Sequence, residues 1–477
     1  MGYYAASAGM AIAYPIIPKV LAAVSVKFLL LTDLVLQFFL SWICARSQNA
    51  DILIVCSFAI GFLKGFLMLW FIRYAQKIFS PNNVRSEFYS YFYPLVYGGG
   101  QVSMLVTAQL AYYYDWKYMY YFMMLLMLVA ILLVIICFRH NRPIKSVPIA
   151  DLHIREMFII SAGLLMLMYV INYGKVLDWM SSAKICAYIV IAPMLIALFI
   201  WIQIHSDKPY VSLAPLYQPK AIIGYLYMMI VMFFSTSTTL LTNYLSVILK
   251  VDTTHTYSLY IYLLPGYLAG AFICFWWFRW QRWRFRFLIA GGMGCFVIFF
   301  AILYFGISPG STYEMLYLPI FFRGLGMLTL IIAFALFAVE DLNPKYLLSN
   351  AFFLIIFRSV LTPIMATSFY SNVLYRLEQK YMCSLSETIT TADPLAASKY
   401  SQSLNTALSQ GHRYDEAVQI ATNSLHATLQ QQSLLLALKE ILGYLLVISV
   451  IIAVVSRFIP FHKTIRVTFL RTGDDMV

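Results

Sequence analysis

Uninterrupted apolar runs of roughly 20 residues recur from one end of this chain to the other, and they leave few architectures open. A helix of that length, rising about 1.5 Å per residue, crosses a hydrocarbon layer about 30 Å thick. In lipid the backbone must satisfy its own hydrogen bonds, so only helices and closed barrels cross. Barrel strands alternate apolar and polar residues over about ten positions. The runs here do not alternate, which selects helices. Composition agrees, with 62% hydrophobic and 11% charged residues, against roughly 45–50% and about 25% in soluble domains. The chain reads as an all-α, polytopic membrane protein.

Windows of this kind fall near 3–22, 26–44, 52–76, 88–111, 118–138, 155–173, 184–204, 220–247, 256–278, 287–306, 315–338, 347–371 and 434–456, about thirteen spans. Segment 373–433 is polar and reads as a long loop holding two amphipathic stretches parted at Gly411. Twenty Lys and Arg gather on one side of these spans, among them Arg73, Arg85, Lys220, Arg282 and Lys345. Only Arg46, Lys117, Lys175, Lys184 and Lys250 occupy short loops on the other. Positive charge is retained in the cytoplasm. The C-terminus is therefore expected inside, with the N-terminus and loop 373–433 outside. The formal charge of +13 is a topology signal rather than a nucleic-acid footprint. Met1 leads straight into an apolar run with no basic leader.

Several short motifs follow one another in order. Ser57–Gly65 reads SFAIGFLKG, with glycines at 61 and 65. Asp115-Trp116-Lys117 precedes an aromatic helix, and Tyr173-Gly174-Lys175 with Asp178-Trp179 links two spans. Arg323-Gly324-Leu325-Gly326-Met327 lies within a span. Asn350 and Arg358 share the next one, and Gln432 and Glu440 open the last. Together these resemble the fourteen-span drug:proton antiporter branch of the major facilitator superfamily, the EmrB/QacA type.

The resemblance implies a major facilitator helix bundle of two pseudo-symmetric halves and a central extra helix pair. The halves would be 1–140 and 216–477, with 141–215 as insert and linker. In this register the first five spans match family spans two to six, so the family's first span has no counterpart. A start codon assigned too late is the expected explanation, natural truncation the alternative. Two motifs depart from the family. The loop after the first span keeps only Lys19 and Lys27 of its charged pattern. The antiporter signature of the fourth span falls on Ser103, Met104, Thr107 and Ala108, with Gly98–Gly100 out of register.

Ionisable groups inside a span are expensive and mark sites or clamps. Asp33 and Lys64 lie on consecutive spans at similar depth, a candidate ion pair. Arg323 is flanked by glycines in the counterpart of a cavity-lining helix; Arg358 and Glu440 follow in later spans. These five are the cavity or coupling candidates. Ser235, Thr238, Thr239, Thr242 and Asn243, with Gln101 and Thr107, are the candidate substrate-lining residues. Hydroxyls in helices also bond their own backbone, so each has a purely local alternative.

The seven His residues form no H-x-x-x-H or H-x-x-H pattern, and the seven Cys form no C-x-x-C. No metal, cofactor, catalytic group or disulfide framework is expected. No phosphate-binding G-x-x-x-x-G-K-[ST] occurs either. The resemblance implies a transporter in a bacterial inner membrane, exporting hydrophobic or amphipathic small molecules in exchange for protons. A periplasmic adaptor and an outer-membrane channel are possible partners through 373–433. The degraded motifs leave a transport-impaired or scaffold subunit as the main alternative, and a membrane-embedded enzyme as a lesser one.

Overall fold

The structure, a computed structural model, describes residues 1–80, 84–138, 153–280, 285–340, 342–388 and 393–459. The basic residues of 139–152, 281–284 and 460–477, counted above for topology, lie outside the described residues. Among the described residues the fold is helical throughout its long elements. The first group of helices is α1 (Gly2–Ala13), α2 (Ile17–Ala23), α3 (Val26–Arg46), α4 (Ala50–Phe79), α5 (Arg85–Tyr113) and α6 (Lys117–Cys137). A hairpin follows, α7 (Ile154–Tyr173) and α8 (Ala183–His205). The second group is α9 (Pro219–Thr236), α10 (Thr238–Asn243), α11 (Thr253–Ser258), α12 (Leu263–Trp280), α13 (Phe285–Gly306), α14 (Tyr317–Phe337), α15 (Leu347–Ile355) and α16 (Thr362–Thr388). Last come α17 (Pro394–Ser409) and α18 (Tyr414–Phe458).

Eleven of the described helical spans are long and apolar enough to cross a membrane. The bent pair α1–α2 makes a twelfth. The sequence reading counts one more because it includes α5, which has the length but carries Tyr and Gly where the others carry Leu and Ile. The bend between α1 and α2 is 62°, and its cause is local. Pro15 and Pro18 remove backbone donors and crowd the preceding turn. The Ile12 carbonyl set free by the bend accepts the Tyr210 hydroxyl, so no buried acceptor is left open there.

Packing sorts the helices. In the first group α1 lies on α4, and α3 packs against α4 and α6. The α1–α4 approach is so close that a Cβ on Gly9 or Gly61 would run into the facing backbone, at Phe58 and Ala6. In the second group α14 is the axis, with α12, α13 and α9 around it. Of its apolar window 83% is buried, against 11% for α6 and 17% for α8, whose apolar side chains face outward. The groups meet along two seams: α5 against α12 and α14, and α1 against α15 and the turn after it. The α7–α8 hairpin leans on the second seam, where Met168 fills the space between Ala8, Val360 and Ile364.

The segment 373–433 is not a loop. α16 continues through it to Thr388, and α17 and the first half of α18 pack as an antiparallel pair. The two amphipathic stretches are these helices, and the chain reverses at Gly411, whose φ is +90°. Small residues at their contact, Ala407, Ala417 and Ala421, keep the pair narrow, and Ser403 and Ser424 hydrogen-bond across it at 3.2 Å. A polar composition kept these helices from reading as spans without preventing helix formation.

Candidate functional site

One stripe of α5 defines the site. Arg85 opens the helix, and Tyr89, Tyr93 and Tyr97 follow at intervals of four, which places them on one face. Their ring centroids are 5.3 and 6.3 Å apart in succession. Beside them Phe88 and Phe92 stack at 5.1 Å. This stripe is one wall of a cavity of about 390 Å³. The other walls obey the same spacing rule. α4 contributes Lys64, Met68, Ile72 and Gln76; α1 and its bend contribute Tyr3, Ser7, Met10 and Tyr14. Leu347, Ala351, Leu354 and Arg358 line it from the other group of helices. The cavity therefore lies between the two groups and is bounded by both.

Its charge is one-sided. Lys64, Arg85 and Arg358 line it, and among the described residues no Asp or Glu does. Lys64 is exposed to the cavity and has no ion-pair or hydrogen-bond partner among the described residues. A lysine at the centre of a span costs about 2.5–3.5 kcal/mol on insertion, which the open cavity lowers by letting water reach it. Arg358 sits in a π-helical turn, Ile356–Leu361. Such a turn widens the helix by one residue and re-aims its side chains. The Phe357 carbonyl there accepts the Thr362 hydroxyl at 2.6 Å. Arg358 Nε donates to Ser359 Oγ at 3.3 Å, and its buried Nη1 has no protein partner among the described residues. Asn350, also in the wall, accepts the Tyr225 hydroxyl, so its carbonyl oxygen is already engaged.

The cavity has a direction. Its lining runs from the end of the bundle where α4 finishes and α5 and α15 begin, hereafter the basic end, to about mid-helix. Beyond Tyr97 the groups close: Tyr97 meets Tyr267 at 5.9 Å, and Gly98 abuts Leu264. At the basic end Lys220 and Glu340 pair at 3.1 Å, tying α9 to the end of α14. Two helical groups thus surround a half-depth cavity, with a hairpin between them in sequence. The profile of the Major Facilitator Superfamily matches residues 2–367.

The chain belongs to the major facilitator superfamily. Among solved structures it is similar to an auto-inhibited POT family peptide transporter, at 12% identity and TM-score 0.44, over 93% of this chain and 88% of that one. It is also similar to a bacterial homolog of the human lysosomal transporter Spinster in an inward-facing and occupied conformation, at 11% identity and TM-score 0.36, over 96% and 97%. No curated protein matches the sequence.

Within this major facilitator bundle the remaining candidates lie elsewhere. Arg323 is buried on α14, where Nη2 donates to the Ser235 carbonyl at 2.8 Å, and it does not line the cavity. Its glycine neighbours serve packing. A Cβ on Gly326 would come within 2.8 Å of the Gly292 carbonyl, and one on Gly324 within 2.8 Å of that of Leu263. The expected Asp33–Lys64 pair does not form: Asp33 is buried on α3 and receives Gln37 Nε2 at 3.3 Å, while its Oδ2 has no protein partner among the described residues. Lys64 lies about fifteen residues from the basic end of α4 and lines the cavity, whereas Asp33 lies about seven residues from that end on α3 and does not. Glu440 accepts the hydroxyls of Tyr381 at 2.7 Å and Tyr444 at 3.0 Å, away from the cavity.

The polar set on α9–α10 also lies outside the cavity lining. Thr238 donates to the Ser235 carbonyl at 3.3 Å, Thr239 to Thr236 at 3.1 Å and Thr242 to Thr238 at 3.0 Å. Ser235 Oγ is buried without a partner, and Asn243 ends α10. On α5, Thr107 bonds back to Ser103 at 2.8 Å, and Gln101 sits one turn beyond Tyr97. Sequence reasoning missed Arg85 and the tyrosine stripe. The four-residue spacing of 89, 93 and 97 was the available signal, obscured because aromatic residues near span ends also suit the membrane interface. Among the described residues no group of three His, Cys, Asp or Glu is placed to hold a metal ion.

Proposed function

We propose that this chain is a secondary transporter that carries an amphipathic small molecule across a bacterial inner membrane by alternating access. One observation carries the reading: the cavity is bounded by both helical groups, reaches mid-helix and is closed beyond it. With the basic end in the cytoplasm, as charge bias implies, this is a state open inward. Rocking the two groups about α1 and α5 would open the other side. Tyrosine and apolar walls suit a substrate with an extended hydrophobic body.

Export driven by proton exchange is the mode supported by the resemblance to the antiporter branch. Carboxylates are common proton carriers within spans, and the described cavity wall supplies none. Asp33, buried in the first group with an unpartnered oxygen, is the group we assign to it. The helix pair α17–α18 is the surface we assign to any adaptor. The test is counterflow and gradient-driven transport of amphipathic compounds in proteoliposomes. Asp33→Asn should abolish the response to a pH gradient and retain substrate counterflow. Equal gradient response in wild type and variant contradicts the assignment to Asp33, and absence of counterflow across a broad panel contradicts transport.

A further inference from the structure

The charge of the cavity says more than that it is polar. Lys64 and Arg358 sit near mid-helix, about ten to fifteen residues from the basic end, or about 15–22 Å at helical rise. Lys64 has no protein partner among the described residues, and Arg358 keeps a buried N–H uncommitted. Arg85 stands nearer the mouth. The wall offers no described carboxylate to neutralise them, and Asn350 has spent its acceptor on Tyr225. Both cations line one cavity, and each lacks a counter-charge among the described residues. A group that carries negative charge into this space supplies it.

The apolar remainder of the wall fixes the rest of the ligand. Tyr89, Tyr93 and Tyr97 present a ladder of ring faces and hydroxyls along about two turns of α5, running from the mouth toward the cationic centre. Met10, Met68 and Leu354 provide adaptable apolar contact opposite. A cavity of about 390 Å³ matches a drug-sized ligand. We propose that the substrate is an amphipathic organic anion: a carboxylate, sulfonate or phosphonate head held by Lys64 and Arg358, and an aromatic or hydrophobic body laid along the tyrosine ladder. Arg358 supplies the planar, permanently charged donor and Lys64 the point charge. Hydrophobic cations are excluded by the same groups. This rests on the transport reading for its physiological meaning, but the binding preference stands on the cavity alone.

The probes are three molecules with one body: naphthylacetate, naphthylacetamide and naphthylmethyl-trimethylammonium. Binding to the purified full chain is measured calorimetrically, and movement by counterflow in proteoliposomes. The anion should bind at least about tenfold more tightly than the amide, the order of one charge-assisted hydrogen bond, and the cation should not bind. Lys64→Gln and Arg358→Gln should each remove most of that preference, while Lys64→Arg keeps it. Thermal unfolding and gel filtration identify variants that fold. Equal binding of all three probes by folded wild type overturns the anion assignment. So does binding of none of them, and so does naphthylacetate displaced by inorganic phosphate at equal concentration, which would make the cations a site for a simple anion. Anion-selective binding without counterflow leaves the assignment standing and overturns the transport reading instead.

Discussion

Arg323 and Arg358 look alike in the sequence and live in opposite surroundings. Each is an arginine within an apolar span, followed or preceded by small residues. Arg323 is on the axis helix of the second group, wedged where glycines bring α12 and α13 close, and one N–H is spent on the Ser235 carbonyl. Arg358 is on a π-helical turn at the edge of that group, and its side chain reaches a cavity shared with Lys64. Among the described residues Arg323 leaves Nε and Nη1 without a partner and Arg358 leaves Nη1; only Arg358 lines the cavity, where a ligand could reach it. The difference lies in the backbone around each residue: a tightly packed α-helix in one case, a widened turn at an open seam in the other.

The comparison can be broken in graded steps. The largest effect is expected from Gly326→Leu, because the Gly292 carbonyl and Cys295 Cβ lie 2.8 and 2.9 Å from where a Cβ would go. Overpacking of this kind costs about 3 kcal/mol or more, read as loss of folded protein from the membrane fraction. Arg323→Ala comes next. It removes the charged N–H donor from the Ser235 carbonyl, which keeps only the Thr238 hydroxyl, and should lower stability by about 1.5–3 kcal/mol, seen as earlier thermal unfolding. Naphthylacetate binding by the surviving folded protein should stay within about twofold, since no side chain of the cavity changes.

Lys64→Gln sharpens the contrast from the other side. It should weaken anion binding by about 1.4 kcal/mol or more while leaving stability equal or higher, because an unpaired charge leaves the membrane. A stability loss as large as that of Arg323→Ala would erase the distinction between the two regions. The smallest effect belongs to Thr239→Val. Its hydroxyl bonds back to Thr236 at 3.1 Å, so unfolding and binding should both shift by no more than about 0.5 kcal/mol. A large loss of binding there would restore the polar set of α9–α10 as substrate contacts.

The fold was legible because lipid imposes one requirement on every residue of a span. Continuous apolar runs located the helices, while the bend at Pro15 and Pro18 was read through as a single span, 3–22. α5 blurs the count because a cavity-lining helix trades Leu and Ile for Tyr and Gly. The site was legible only in part. Lys64 and Arg358 stood out as costly charges, and they do line the cavity. The hydroxyl-rich run from Ser235 to Asn243 stood out equally and does not, because hydroxyls can be satisfied by the helix that bears them. Depth along a span can be counted from a sequence; the face from which a side chain projects depends on how helices are rotated against each other. Asp33 and Lys64 did not pair: Lys64 lines the cavity, and Asp33 receives Gln37 on its own helix.

The central claim is that the cavity between the two groups is the path of the substrate, open at the basic end. Tyr93→Cys in a chain stripped of its other cysteines tests it directly. Modification by a membrane-impermeant maleimide would be compared in vesicles exposing one face or the other, with and without naphthylacetate. The account predicts fast labelling from the basic face, slowed by the anion. Labelling from the opposite face alone, or labelling from the basic face that the anion leaves unchanged, would contradict it.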